Sequence, residues 1–390
     1  MIPDPNLLLP FFFWALLFLF LCKIPLVRKQ SQPQRQEWPD CDLPLNTEPP
    51  SVSIIIPARN EEQNLRKLLD SLARQSLKPA EIIVVDDNSC DLTAQVAQER
   101  GARLIKLPPL PEGWTGKAFA CFEGARAASG DVLIFLDADT CLEEGGLEVL
   151  LSLYEATDGF FSVQPYHRME KPYEKLSAFF NLILFLNMNI SSCVPALNRA
   201  RGAFGPCFIC SRADYFALGG HEAIKGEIIE DLALARLARK KGYRVHCFAG
   251  RGVINFRMYP GGLKQLVEGW TKNFATGAGK TGLWLFLVTF GWVTGAMSGP
   301  VDMVKGLATG HNLLLKIGLI LYLLFSVQIY FFLRPLGNFG LWSVILYPFN
   351  LAFFILIFLR SLIYTNILGY VNWKGRRIKL RPRKQKGPSN

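Results

Sequence analysis

Four short clusters of carboxylates and amides recur along the first two thirds of the chain. They are Pro57-Ala58-Arg59-Asn60-Glu61-Glu62, Asp86-Asp87-Asn88-Ser89-Cys90-Asp91, Asp137-Ala138-Asp139 and Glu230-Asp231. Asp137 and Asp139 lie one residue apart at the end of the apolar run Val132–Leu136. Two carboxylates there cannot both be buried without a counter-charge. A divalent cation with oxygen ligands, Mg2+ or Mn2+, answers that need, because such ions keep waters and recruit substrate phosphates. Two solvated loop acids that cap the following helix answer it equally well. Asp87 only accepts hydrogen bonds when ionised, so it would select the donor edge of a nucleobase, such as a ring N–H, or a ribose hydroxyl. Asp91 reads as a helix cap, and Glu230 and Asp231 occupy a helix first turn, where the dipole favours acids.

The elements between these clusters explain their positions. Val52–Ile56 is a β-branched apolar run with the length of a buried strand, and Leu65, Leu68, Leu69 and Leu72 follow at helical spacing. Glu81–Val85, Arg103–Leu107 and Val132–Leu136 continue the strands, with helices over Asp91–Arg100 and from Glu230 to Lys241. Strands separated by helices of this length imply parallel βαβ units covered on both faces. In such sheets ligands bind at the carboxyl ends of the strands, where all four clusters fall.

The ends of the chain differ in character. Of 390 residues half are hydrophobic, 29 of them Phe, and the excess is uneven. Leu7–Cys22 is wholly apolar, its basic residues (Lys23, Arg28, Lys29, Arg35) come after it, and Met1–Asn6 carry none. This reads as an uncleaved anchor with its C-terminal side in the cytoplasm. Gly282–Val301, Ile317–Leu333 and Phe339–Leu359 are uncharged and of spanning length or nearly so. Three full spans would carry the basic tail away from a cytoplasmic domain, against the positive-inside tendency. Gly282–Val301, with four glycines and a proline, is therefore expected to be re-entrant or interfacial. Leu176–Leu197 is apolar but contains Asn181, Asn187, Asn189 and Pro195, and it reads as an interfacial helix. The net charge is +11, and eight basic residues lie from Lys374 to Lys386 with no acid after Asp302. Next to apolar spans this tail points to an anionic membrane surface rather than to nucleic acid. Nine cysteines show no disulfide-like framework, and Cys207 and Cys210 read as structural thiols in a reducing compartment.

Taken in order, the four clusters resemble the family 2 inverting glycosyltransferases over Ser51 to about Gly279. The resemblance implies an α/β fold of GT-A type, Rossmann-like with a mostly parallel sheet, flanked here by N- and C-terminal transmembrane helices. It implies that Pro57, Ala58, Asn60 and Glu61 line the nucleotide, that Asp87 holds the uracil of a UDP-sugar donor and that Asp139 holds the metal. Asp137 stands with the donor-binding residues. Lys117, in Trp114-Thr115-Gly116-Lys117, looks like the family's basic residue beside the donor; otherwise it is a helix-start lysine in water. A narrower likeness rests on Ser162-Val163-Gln164-Pro165-Tyr166-His167, Gly202-Ala203-Phe204-Gly205-Pro206, Phe256-Arg257-Met258-Tyr259, Glu268-Gly269-Trp270-Thr271-Lys272, Thr276-Gly277-Ala278-Gly279 and Trp373-Lys374-Gly375-Arg376. These look like a subgroup that acts in carotenoid biosynthesis, which implies UDP-glucose as donor and a carotenoid acid as acceptor. Polymer-forming members carry a (Q/R)xxRW motif; here Gly269 takes the Arg position and Gln265 is off by one, so a single transfer is expected.

Asp231, with Glu230 beside it, is expected to take the acceptor proton during a one-step displacement that inverts the anomeric carbon. A carboxylate acceptor is already ionised near neutral pH and hardly needs a base, so hydroxylated lipids stay open beside carotenoid acids. Gln164, His167 and Trp270 are expected near the acceptor, and a lone histidine such as His221 is more often structural. The expected organisation is an anchor over 1–30, a linker over 31–50, a catalytic domain over 51–280, membrane segments over 281–365 and a basic cytoplasmic tail over 366–390. The whole is expected in the cell membrane as a multi-pass protein with the catalytic domain in the cytoplasm.

Overall fold

The computed structural model describes residues 5–27, 50–194, 198, 200–227, 229–277, 282–373 and 376–379. Most of the expected linker and most of the basic tail lie outside the described residues. The chain forms two compact units, one of Ile24–Arg168 and Arg199–Arg257, the other of Met1–Lys23, Met169–Asn198 and Met258–Asn390.

The first unit is a three-layer α/β structure. Its strands are β1 (Val52–Ala58), β2 (Glu81–Asp86), β3 (Arg103–Lys106), β4 (Val132–Leu136), β5 (Thr140–Leu142), β6 (Phe160–Gln164), β7 (Tyr166–His167), β8 (Cys207–Ser211), β9 (Val245–Ala249) and β10 (Ile254–Phe256). Seven of them form one sheet in the order β3-β2-β1-β4-β8-β6-β9, and β5, β10 and β7 form a second, small sheet. β3, β2, β1 and β4 run parallel. Along β1 successive side chains alternate between two cores, Ile54 and Ile56 on one side and Ile55 on the other. The first core is closed by leucines of Glu62–Ala73 and Gly146–Glu155, the second by residues of Gly116–Ala127 and Glu230–Lys240. A strand buried on both faces has no polar positions to alternate, which is why the sequence shows continuous apolar runs.

The mostly parallel expectation holds for six of the seven strands of this sheet, and only β8 runs against them, antiparallel between β4 and β6. Apolar patterning carries no strand direction. The reversal sets Cys207 beside Leu136, so the residues just before β8 arrive at the carboxyl end of β4. The strand order reverses between β1 and β4, and that reversal is where the crevice of such a sheet opens. Cys207 and Cys210 face opposite sides of the sheet, in different cores, and burial pushes both thiols up.

The second unit is helical. Its helices, numbered in chain order, are α1 (Pro5–Phe20), α2 (Ala178–Met188), α3 (Leu263–Gly277), α4 (Leu283–Thr309), α5 (Asn312–Leu333), α6 (Gly340–Ile345) and α7 (Tyr347–Ile363), with a hairpin of β11 (Tyr370–Trp373) and β12 (Arg376–Lys379). α1 has 16 residues, about 24 Å, short of the roughly 30 Å hydrocarbon core. α4, α5 and the helical stretch Tyr347–Leu368 are long and apolar enough to cross a membrane.

Three expectations change here. The glycines of Gly282–Val301 do not break the helix, which runs unbroken over 27 residues. They are contact points instead. A Cβ at Gly291 would meet the Phe13 ring at 2.3 Å, and at Gly299 the backbone nitrogen of Tyr322 at 2.9 Å. Gly291, Gly295 and Gly299 recur every fourth residue, the spacing that lets apolar helices approach closely. The expected segment Phe339–Leu359 divides at Leu346, with Pro348 in the first turn of α7. The interfacial helix expected over Leu176–Leu197 is shorter, Ala178–Met188, and lacks the solvent face such a helix needs: Phe179, Phe180, Asn181 and Phe185 are all buried. Asn181 satisfies its amide by donating to the Ser177 carbonyl at 3.0 Å. Its positions 195–197 lie outside the described residues.

Candidate active site

The loops after β1 and β2 are knitted together by the polar residues of the first two clusters. Asn60 and Asn88 both adopt positive φ, 52° and 54°, a conformation asparagine tolerates. The Asn60 side-chain oxygen accepts from the Cys90 amide at 2.9 Å, and the Asn60 amide donates to Ser89 Oγ at 3.0 Å. Asp91 accepts from the amides of Thr93 and Glu62, so it caps the next helix and also ties down the start of the one after β1. The Glu61 carboxylate accepts from Asn64 Nδ2 at 2.7 Å. Asp87 is 6% exposed; burial raises its pKa, and Arg59, whose Nη1 lies 3.4 Å from Oδ2, opposes that rise.

The third and fourth clusters meet at Lys117. Its ammonium lies 2.6 Å from Asp137 Oδ1 and 3.0 Å from Glu230 Oε1. Lys117 sits in the first turn of the helix Gly116–Ala127, where the dipole disfavours a cation. The two carboxylates compensate for that position, so Lys117 is not a helix-start lysine in open water. Burial lowers the pKa of Lys117, but Asp137 and Glu230 outweigh it and hold the group charged well above the ordinary lysine value. Asp137 is raised by burial and pulled back by Lys117. Asp231 is pushed up to about 7, by burial first and then by the neighbouring Glu230.

Pro57, Lys117, Asp137, Gly205, Glu230 and Asp231 line one pocket, whose inner wall includes Cys121, Phe135 and His221. Burial pushes His221 down to about 4, and its Nδ1 lies 2.8 Å from the Tyr215 hydroxyl, a structural, neutral histidine. Asp139 is half-buried, directly before β5. Gln164 ends β6 and is largely buried. His167 is fully buried in β7, its ring 5.1 Å from that of Phe256. Trp270 belongs to the helical unit, where it stacks on Phe180 at 4.6 Å and donates to Ser177 Oγ at 3.0 Å.

Two neighbours of these residues lie inside the segments quoted from the sequence but have no role assigned to them there. Arg59 is one, a loop arginine until Asp87 is folded against it. Gly205 is the other, since a glycine before a strand marks only a turn until its neighbours are known.

Comparison with known proteins bears on the same segments. The glycosyl transferase family 2 profile matches residues 53–205, from β1 to Gly205. The 4,4'-diaponeurosporenoate glycosyltransferase of Staphylococcus aureus (strain USA300) is 35% identical over 336 residues, covering 85% of this chain and 89% of that protein. Among solved structures, a mannosyltransferase from Pyrobaculum calidifontis in complex with GDP-Man and Mn2+ superimposes with a TM-score of 0.50 at 18% identity, over 91% of this chain and 94% of that one. Glucosyl-3-phosphoglycerate synthase from Mycobacterium tuberculosis, in complex with Mn2+, UDP and phosphoglyceric acid, gives 0.41 at 21% identity, over 59% and 78%. The mannosyltransferase likeness is one of fold, and it agrees with the Rossmann-like, GT-A architecture expected from the sequence.

Proposed function

The chain belongs to glycosyl transferase family 2, and on that premise we propose that it moves one glucose from UDP-glucose to a lipophilic acceptor of the carotenoid class, with inversion. The observation that carries this reading is the meeting of Lys117, Asp137, Glu230 and Asp231 in one pocket at the carboxyl end of β4. Pro57, Ala58, Asn60 and Glu61 would line the nucleotide, and Asp87, steadied by Arg59, would accept from the uracil N–H. The donor set suits Mg2+ or Mn2+. Among the described residues no three His, Cys, Asp or Glu side chains gather into a closed metal cage, and these ions take one or two carboxylates and complete their shell with water and substrate phosphates. Asp139 would hold the ion, which when bound supplies Lewis-acid neutralisation of the departing diphosphate.

The remaining work belongs to side chains. Lys117 would present to the diphosphate a positive charge already held in place by Asp137 and Glu230, so little reorganisation is needed as charge develops. Asp231 removes the acceptor proton as the acceptor attacks opposite the leaving group, and a single displacement inverts the centre. Its raised pKa suits a base working near neutrality. That observation favours a second reading, a hydroxylated lipid acceptor, since a carboxylic acid arrives ionised. A single transfer is supported at Gly269. A Cβ there would lie 2.2 Å from Tyr259 Cε1, so the Arg of the polymer-gripping motif has no room.

We further propose a multi-pass membrane enzyme with residues 51–280 carrying the chemistry in the cytoplasm. In that arrangement 1–30 is an anchor, 31–50 a linker, 281–365 the membrane segments and 366–390 a basic tail. The test is product analysis. Membranes holding the full chain, given radiolabelled UDP-glucose and diaponeurosporenoate, should yield a chromatographically uniform product with one β-linked glucose. A ladder of longer products would contradict the proposal, as would an α-linkage.

A further inference from the structure

The absence of a side chain at position 205 sits against the two groups assigned to chemistry. A Cβ built on Gly205 would lie 2.7 Å from Asp231 Oδ2 and 3.2 Å from both Asp231 Cγ and Lys117 Nζ. Contacts under 3.0 Å require something to shift. The glycine is not needed for its backbone conformation, since Gly205 is not among the residues with positive φ. An alanine would therefore fit the chain and collide only with the Asp231 carboxylate and, less closely, with the Lys117 ammonium.

The backbone here is pinned from both sides and cannot yield instead. Ser162, fully buried in β6, accepts from the Phe204 amide at 2.6 Å and donates to the Phe204 carbonyl at 2.9 Å. The Pro206 carbonyl accepts from the Asp137 amide at 2.9 Å. One hydroxyl thus satisfies both polar groups of the residue before Gly205, and the strand end that carries Asp137 fixes the residue after it. Antiparallel β8 begins at Cys207 beside Leu136 of β4, which delivers this segment to the site.

We propose that Gly205, buttressed by Ser162, is a positioning residue: a fixed, bare stretch of backbone that sets how deeply the Asp231 carboxylate seats beside Lys117. This rests on the reading of Asp231 as the base. Displacing that carboxylate by a fraction of an ångström to an ångström is enough to cost turnover, because proton transfer demands close approach. The nucleoside is assigned to the loops after β1 and β2, and Lys117 is met less closely than Asp231, so binding of UDP-glucose should change much less than turnover.

The experiment is a double-mutant cycle on the full-length enzyme in membranes, with UDP-glucose as donor and two acceptor probes, a long-chain alcohol and diaponeurosporenoate. Gly205→Ala should lower kcat with the alcohol at least about tenfold while changing the KM for UDP-glucose less than about threefold. Ser162→Ala, which adds no bulk, should lower kcat in the same direction by less. In an Asp231→Asn background Gly205→Ala should have no further effect, since the group it acts through is gone. Gly205→Ala with full kcat, or a loss that multiplies independently with that of Asp231→Asn, overturns the positioning role. Should Gly205→Ala fail to fold, Ser162→Ala decides by the same kcat and KM readout. If Asp231→Asn itself is fully active with the alcohol, it is the base assignment that falls, and the two failures are distinguishable.

Discussion

A carboxyl group with a pKa near 7 is about half ionised at neutral pH, and Asp231 is pushed up to about that value by burial and by Glu230. Such a group holds its proton more tightly in the folded chain than in the unfolded one. Ionising it therefore costs stability above the ordinary carboxylate value of 3.8, the cost growing until about pH 7 and constant beyond. Asp231→Asn should accordingly raise the melting temperature at about pH 8 and leave it unchanged at about pH 4. A variant less stable than the wild type at the higher pH would show that the carboxylate is not strained there. The same variant should lose roughly 10²- to 10⁴-fold in turnover with an alcohol acceptor, a trade of stability for activity at one residue. For Asp139→Asn the expected result is loss of most metal-dependent activity with an unchanged melting temperature. Wild-type activity of that variant in the presence of a chelator would contradict a metal at this position. The Asp-x-Asp and the Glu-Asp pair stood out in the sequence as paired carboxylates at the ends of elements, where helix capping and the helix dipole account for them as well. Their meeting through Lys117 was not legible, because the ammonium and its two carboxylates lie on three elements separated by up to a hundred or so residues.

Among the elements, the strands were legible wherever burial on both faces produced an unbroken apolar run. Val132–Leu136 is observed with the expected bounds, and β1 and β2 differ only at their ends. The common direction of β1, β2, β3 and β4 was legible from the helices between them, the reversal of β8 was not, and that reversal brings Gly205 to the site. The helices of the second unit were harder, because glycine in a sequence weakens a helix while glycine at a helix contact is what makes the contact. α2 was misread for a related reason. Its asparagines suggest a polar surface, whereas Asn181 closes a bond inside its own helix. Phe180→Lys should therefore abolish folded protein rather than spare activity toward a short acceptor. A polar clasp holds α1, α4 and α5 together: Gln328 accepts from Trp292 Nε1 at 2.8 Å and donates to the Trp14 carbonyl at 3.0 Å. Gln328→Leu should cost about 1 kcal/mol and lower the melting temperature in detergent by a few degrees. A variant as stable as the wild type would show that packing alone secures the three helices.

On the scale of the whole molecule, Phe and Leu crowd the segments that end up as long, exposed, apolar helices, whereas composition did not show that Met169–Asn198 joins those helices rather than the α/β unit. Exposed Trp284, Phe290, Phe331 and Phe349 are what a hydrocarbon surround would cover. An apolar acceptor partitions into the same medium by about 0.8 kcal/mol for each CH2 buried, which is why a membrane-held enzyme suits such a substrate. The central claim, one sugar moved from a nucleotide donor to a lipophilic acceptor by the site around Asp231, is tested most directly by stoichiometry. Purified full-length protein given UDP-glucose, Mn2+ and a long-chain alcohol should release one UDP for each monoglucosylated product formed, and Asp231→Asn should lose both signals together. Release of UDP without a glucosylated lipid, or a wild-type yield from Asp231→Asn, would contradict it.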